Sequence, residues 1–403
     1  MSLIFRDFSP HFVSNKCAVE MSMRALLNDV ETLNLRTSNA LNSLLGKFES
    51  FSQNRTSLDP RGPALECISD FVMGHAFGNT ISRCFFHEAR AVLKESLSFI
   101  DIAFVGSCMD YVGFMRSINK NQIDKTVTDV TRLREFVTKV YNVHKSSMLQ
   151  TSDYRTSLAL RLRQLKDTIP EKQYSFAGLT TGDGLELDEE MIVSLLTDIT
   201  FSAYEKISTA LLWCIARLAE SLPLQMELQD NLDQLGQEKL SLNDKPRYPL
   251  LDAFISETLR TSCIMPFGLP RRTVRETTIC GINIPKDTTV LLNLWSCAYD
   301  PKVYKNPELF NPKRFLTEDV NGKTQIRCPS FPAFSAGHRR CLGDTLSRSV
   351  LFFLVGGMLQ NYSMELEDES MKSNLEGKYA LTLRPKRYKI NLQKRIKNFD
   401  KRH

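Results

Sequence analysis

The 403-residue chain has no run apolar enough, over the roughly 18 positions required, to suggest a membrane-spanning helix. Its first residues, MSLIFRDFSPHF, also lack the apolar stretch of a signal peptide. The expectation is a chain with no bilayer span of its own. No CxxC pair occurs among the ten cysteines, which lie far apart at positions 17, 67, 84, 108, 214, 263, 280, 297, 328 and 341. That spacing argues against a zinc ribbon and a disulfide framework, and fits a reducing compartment. Histidine is scarce, with 6 residues equally scattered, so a His-based metal centre has little support. Neither an internal repeat nor a low-complexity segment is present. What is there has the balance of a globular protein with a sizeable core: 42% hydrophobic and 24% charged residues. The length fits one large domain.

Charge is unevenly placed. The formal net charge is +6, but residues 384–403 hold nine Lys or Arg and one acid, Asp400, so this tail carries +8 and the remainder is near −2. One reading is a solvated terminal segment. The other is a surface for anionic lipid headgroups or an acidic partner. Nucleic acid is not expected, because no recognised module accompanies the charge.

The first half reads as successive helices. Asp59-Pro60 opens a pattern that puts Leu65, Ile68, Phe71, Val72 and Ala76 on one face and closes at Phe77-Gly78. Acid and base mix from Asp124 to Gln150, as on a long half-exposed helix. A Gly- and Thr-rich loop, AGLTTGDG, follows at 177–184. From Asp188 to Leu222 the spacing predicts a long core helix, with Asp188 as N-cap, Glu189 and Glu190 in the first turn and Pro223 ending it. After about residue 270, TVRETTICGINIPKDTTVLLNLW alternates β-branched and polar residues around Gly281 and Pro285, a signal for short strands and turns. One more helix starts after Gly343 and carries Leu346, Val350, Leu351, Phe353 and Leu354. The fold class is mainly α with a small β portion.

The most specific segment runs Phe334-Ser-Ala-Gly337-His-Arg339-Arg-Cys341-Leu-Gly343. It fits F-x-x-G-x-R-x-C-x-G at every defining position. At about one in twenty per position, a chance match in a chain this long is on the order of one in ten thousand. The segment resembles the haem-binding loop of the cytochrome P-450 family. The resemblance implies haem b on the thiolate of Cys341, which pushes electron density onto iron and favours O–O cleavage. Glycines at 337 and 343 let the backbone approach the porphyrin, and free N–H groups tune the sulfur. Arg339 is placed to meet a haem propionate, and the following helix N-terminus favours a thiolate.

Other segments stand in the family's order. Glu257-Thr-Leu-Arg260 resembles its E-x-x-R, and Phe310-Asn-Pro312-Lys-Arg314-Phe315 the segment whose arginine completes a Glu–Arg–Arg cluster. Glu257, Arg260 and Arg314 are therefore expected to lock the core behind the haem loop. Pro270-Arg271 stands where the family often places a propionate-binding Arg or His. DFSPHFVSNK resembles a helix start carrying W-x-x-x-R, with Phe12 for the Trp and Lys16 for the Arg. On the long helix, the family's A-G-x-[DE]-T aligns with Ser202, Ala203, Tyr204, Glu205 and Lys206. The acid is kept as Glu205 and the alcohol is replaced by Lys206. At spacing i, i+3 Lys206 shares a face with Ala203 and is expected to point at the haem groove. There it could relay protons, pair with Glu205 or ligate iron; a snorkelling side chain that avoids the groove is the other reading. Ser202 is the nearby hydroxyl on that face.

TVLLNLWSCAYDP and YPLLDAFISETLR are most similar to animal microsomal members that hydroxylate steroids and foreign compounds. The family usually carries, ahead of the point where this sequence starts, a membrane anchor, a helix, two strands and part of the substrate-contacting loop. The expectation is one haem-thiolate domain over 1–403 without them. The resemblance implies a monooxygenase acting on a small apolar substrate of the steroid, fatty acid or xenobiotic class. An NADPH-dependent flavoprotein reductase would supply electrons at the cytosolic face of the endoplasmic reticulum membrane, with peripheral membrane contact. Two alternatives stay open: an oxygen-independent isomerase of peroxides, which the Lys206 change fits, and a non-catalytic truncated haem binder.

Overall fold

The computed structural model describes all residues except 1, 2, 5, 103–112, 148–156, 169–174, 177, 178, 181–186, 235–238, 320, 321, 323, 327–332, 374 and 397–403. The N-terminal half is helical. α1 (Pro10–Asn28) starts where the Ser9 hydroxyl accepts from the Phe12 N–H at 3.2 Å, with Pro10 in the first turn. α2 (Val30–Gln53) is capped by Asp29, which accepts from the Thr32 N–H at 3.1 Å. α3 (Arg61–Phe77) buries Ile68, Phe71, Val72 and Ala76, as the spacing predicts, with Leu65 half-buried. It stops at Gly78, whose φ of +85° suits glycine. α4 (Asn79–Ser96) and the half-exposed α5 (Lys120–Ser147) follow; 148–150 of the expected helix lie outside the described residues. The expected loop at 177–184 departs from its reading in one place. Leu179–Thr180 pairs antiparallel with Ser175–Phe176, a strand too short for alternation to signal, and the rest of 177–184 lies outside the described residues.

The long helix α6 (Glu189–Glu220) is capped by Asp188, which accepts from the Met191 N–H at 2.6 Å. Its 32 residues span about 48 Å at the standard rise. It is buried on most sides and packs against α3, α5, α8 (Pro249–Ser262) and α9 (Asp344–Asn361). Its end corrects the sequence reading. The helix stops at Glu220 and the chain turns by 106° into α7 (Leu222–Asp233). Pro223 thus opens the next helix, where its missing N–H has no partner to lose. α9 buries Leu346, Val350, Leu351, Phe353 and Leu354, and a Cβ at Gly357 would overlap the Leu41 side chain of α2. No single helix among the described residues is long and apolar enough to cross a membrane.

The β portion consists of short antiparallel pairs. β1 (Arg271–Arg272) pairs with β4 (Thr289–Val290), and β2 (Thr277–Ile279) with β3 (Ile282–Ile284). The β2–β3 turn, Cys280-Gly281, has both φ angles positive, as a tight right-twisted hairpin requires. β5 (Tyr362–Leu366) pairs with β8 (Ile390–Lys394), and β6 (Gly377–Tyr379) with β7 (Leu383–Pro385). Mainly helical with small sheets, this is the expected class. The eight described cysteines are all free.

Candidate haem site

The 334–343 segment closes on itself through its backbone. The Cys341 N–H donates to the Phe334 carbonyl at 2.9 Å and the Arg340 N–H to the Gly337 carbonyl at 3.0 Å. Closing so short a loop takes left-handed backbone at Ser335 (φ 61°) and Gly337 (φ 67°), the second costing nothing because glycine has no Cβ. Gly343 precedes α9, and its N–H donates to Cys341 Sγ at 3.4 Å. Cys341 keeps accessible surface, yet burial pushes its thiol pKa up. The Gly343 N–H, Lys206 and Arg340 oppose that shift, while Asp344 adds to it. The loop is tied to the core by Arg348 of α9. Its guanidinium lies over the Phe334 ring at 5.1 Å, donates to Asp344 at 3.0 Å and donates to Ser256 Oγ of α8 at 3.0 Å.

Next to Ser256, the Glu–Arg–Arg cluster is assembled. Arg260 meets Glu257 in a two-pronged pair at 2.8 Å and 2.8 Å, both side chains fully buried. Arg314 Nε donates to Glu257 Oε1 at 3.1 Å and the Asn311 N–H to the same oxygen at 2.8 Å. Further guanidinium hydrogens reach carbonyls: Ala298 and Pro307 from Arg260, and Lys305, Asn306 and Leu309 from Arg314. A buried ion pair is tolerable only when so fully hydrogen-bonded. The cluster staples α8 to the irregular 298–315 segment that leads toward the cysteine loop.

Three cations gather beside the loop. Lys16 of α1 donates to the His338 carbonyl, Arg271 of β1 to Ser335 Oγ at 3.1 Å, and Arg339 to the Arg6 carbonyl. Arg271 Nε is buried with no hydrogen-bond partner among the described residues. Phe12, standing for the family's Trp, offers no donor, but its ring lies 3.7 Å under the Arg339 guanidinium and holds it by cation–π contact. Burial lowers the pKa of Lys16, Arg339 and Arg271; repulsion among the cations adds to this at Lys16 and Arg339, opposed by Glu20 at Lys16 and by Asp7 at Arg339. Repelling cations with an orphaned buried donor suit an anionic ligand, and the two propionates of haem b match that demand. Cys341, with an N–H on its sulfur, matches the iron. The residues fit the group.

On α6, Glu205 is 1% exposed and Lys206 half-buried, with Lys206 Nζ 3.7 Å from Glu205 Oε2. The positive charge of Lys206 favours the thiolate of Cys341. Ser202 is half-buried, one turn earlier. Glu205 Oε1 accepts from Thr209 Oγ1 at 3.3 Å and from Thr382 Oγ1 at 2.5 Å.

The family model described as Cytochrome P450 matches residues 18–392. The chain belongs to the cytochrome P450 family. The family's cofactor is haem b. Cytochrome P450 1A1 of Oryzias latipes is 27% identical over 344 residues, covering 84% of this chain and 63% of the relative. Cytochrome P450 1A5 of Gallus gallus is 26% identical over 349 residues, covering 85% and 63%. The chain thus spans less than two thirds of the length of these P450s. A zebrafish cytochrome P450 solved with progesterone superposes with a TM-score of 0.79 at 24% identity, covering 97% of this chain and 84% of that one. The same comparison with an abiraterone structure gives 0.76. At that identity these neighbours establish the fold.

The P450 sequence motifs led to the loop, the cluster and the cations. They did not lead to Arg348, Ser335 or Thr382. Arg348 could have been suspected as the one basic residue of α9. Thr382 could not, because 177 residues separate it from the acid it contacts.

Proposed function

We propose that this chain is a haem-thiolate monooxygenase. It inserts one atom of dioxygen into a small apolar substrate of the steroid, fatty acid or xenobiotic class. Electrons come from an NADPH-dependent flavoprotein reductase. The observation that carries the reading is Cys341, held at the start of α9 with an N–H on its sulfur and cations beside its loop. When bound, haem supplies dioxygen activation at its iron, and the thiolate favours O–O cleavage. Cys341 would ligate the iron, and Lys16, Arg271 and Arg339 would hold the propionates. Glu205 handles protons at its carboxylate, with Lys206 or Ser202 beside it. Residues 1–403 act as one haem-thiolate unit at the cytosolic face of the endoplasmic reticulum, where the basic tail makes peripheral contact with anionic lipid. The zebrafish P450 structures with progesterone and abiraterone support a steroid-sized ligand.

The test is spectral. The reduced, carbon monoxide-bound protein should have the strongly red-shifted Soret band of a thiolate-ligated haem, and Cys341→Ala should lose that band and turnover together. The band surviving in the mutant would mean that another residue holds the iron.

The Lys206–Glu205 pair favours a second reading. An ammonium donates hydrogen bonds and accepts none, so it relays a proton only after losing one, whereas a hydroxyl donates and accepts at once. An isomerase of peroxides needs no such relay. Turnover that continues without NADPH and reductase would select the isomerase.

A further inference from the structure

Glu205 reaches out of α6 toward a part of the chain with no sequence link to it. Its Oε1 takes two hydroxyl hydrogen bonds, from Thr209 one turn along the helix at 3.3 Å and from Thr382 at 2.5 Å. Its Oε2 is buried, makes no hydrogen bond among the described residues, and lies 3.7 Å from Lys206 Nζ. The carboxylate therefore has one oxygen held and one facing the cation.

Thr382 is fully buried at the turn between β6 and β7, and this turn is anchored from several sides. The Ala380 N–H donates to the Thr382 carbonyl at 3.1 Å, closing the turn. The Leu381 N–H donates to the Ile100 carbonyl at 3.2 Å and the Leu383 N–H to the Ile264 carbonyl at 2.8 Å. Trp213 Nε1 on α6 donates to the Leu383 carbonyl at 2.9 Å, so the turn is also tied directly to the helix that carries Glu205. Ala380 and Leu381 pack with Ile100 and with Phe201 of α6. A hydroxyl on so fixed a turn has little freedom to leave its acceptor, and a charge-assisted hydrogen bond in a dry site is the strong kind.

We infer that Thr382 is the positioning residue of the proton-handling acid: it holds Glu205 Oε1 so that Oε2 stays turned toward Lys206. The alcohol that position 206 lacks has its counterpart on another element, and the unit is built from Glu205 and Lys206 on α6 and Thr382 on the β6–β7 turn. The inference rests on the reading of Glu205 as the proton-handling group, and the experiment separates the two.

Thr382→Val removes the hydroxyl at nearly constant volume, and Thr382→Ser keeps it. The first readout is the infrared carboxylate stretch of Glu205 in the ferric protein, isolated by subtracting the spectrum of Glu205→Gln. The second is the fraction of NADPH electrons recovered in product, with a steroid as the probe substrate. The Val variant should shift the Glu205 band, lower the coupling several-fold and raise peroxide release, and the Ser variant should restore both. An unmoved band in Thr382→Val overturns the inference, as does a moved band with wild-type coupling, or a Ser variant that restores neither. If wild-type protein has no NADPH-dependent turnover, the monooxygenase reading fails. The infrared band then still decides whether Thr382 positions Glu205.

Discussion

At the scale of single residues, the departure with the largest chemical consequence is Lys206. Its Nζ lies 3.7 Å from Glu205 Oε2, and the side chain is half-buried. Lys206→Thr removes a donor-only group and installs one that both donates and accepts. If the chain is the monooxygenase proposed above, the mutant should couple NADPH use to product better and release less peroxide. The gain is bounded by the about 10²–10⁴-fold that positioned proton transfer contributes. If the lysine ligates iron in the wild type, the ferric spectrum should also move from low-spin and nitrogen-bound toward high-spin. An unchanged product-to-NADPH ratio with an unchanged spectrum would remove Lys206 from the mechanism. Phe12 makes the complementary point. A substitution that looks like the loss of an indole donor becomes, in three dimensions, a ring 3.7 Å under Arg339.

At the scale of elements, the haem loop is held by what lies behind it. Arg348 connects the loop to α8 through Ser256, and the adjacent Glu257 connects α8 to Arg314. Glu257→Ala would leave two guanidinium groups facing one another without their acid. Removing one partner of a buried ion network costs about 3–5 kcal/mol, a large part of the 5–15 kcal/mol that typically separates folded from unfolded protein. The expected outcome is little soluble protein and a haem-to-chain ratio far below wild type, read from pigment absorbance and thermal melting. Normal haem content with an unchanged melting temperature would mean that the cluster does not support the loop. The motif order made this cluster legible, because E-x-x-R puts both side chains on one helix face. The carbonyls of residues 298–309 that complete it were not legible, since irregular backbone has no periodicity to read.

At the scale of the whole molecule, the interior sets an acid limit. Burial lowers the pKa of His75 of α3 to about 3 and that of His144 of α5 to about 4, with a smaller push from Arg36 and Arg163 respectively. His75 stacks on Phe71 at 5.7 Å, and neither ring nitrogen has a hydrogen-bond partner among the described residues. Both histidines stay neutral in the folded state while the unfolded chain takes up protons near pH 6.5. Their contribution is therefore complete above pH 6.5 and is lost as pH falls toward about 4 for His144 and about 3 for His75. Between pH 6.5 and 5 the loss is about 2 kcal/mol for each histidine. Denaturant unfolding of His75→Leu should show a fall in stability between pH 7 and 5 that is smaller than wild type by about that amount. An identical pH slope in the two proteins would mean that His75 titrates in the fold as it does in the unfolded chain.

The sequence by itself determined the helices, their caps and the ligand loop. Those depend on short-range rules: a cap three residues from its N–H, an apolar face repeating every turn, a cysteine at fixed distance from its glycines. It also placed Glu257, Arg260 and Arg314 together through motif order. Only the tertiary structure decided what surrounds them. Thr382 meets Glu205 across 177 residues, and Arg348 bridges α9 to α8. The physical reason is that a buried polar group must find a partner wherever packing brings one. That choice is made by the closing of the core and leaves no pattern along the chain.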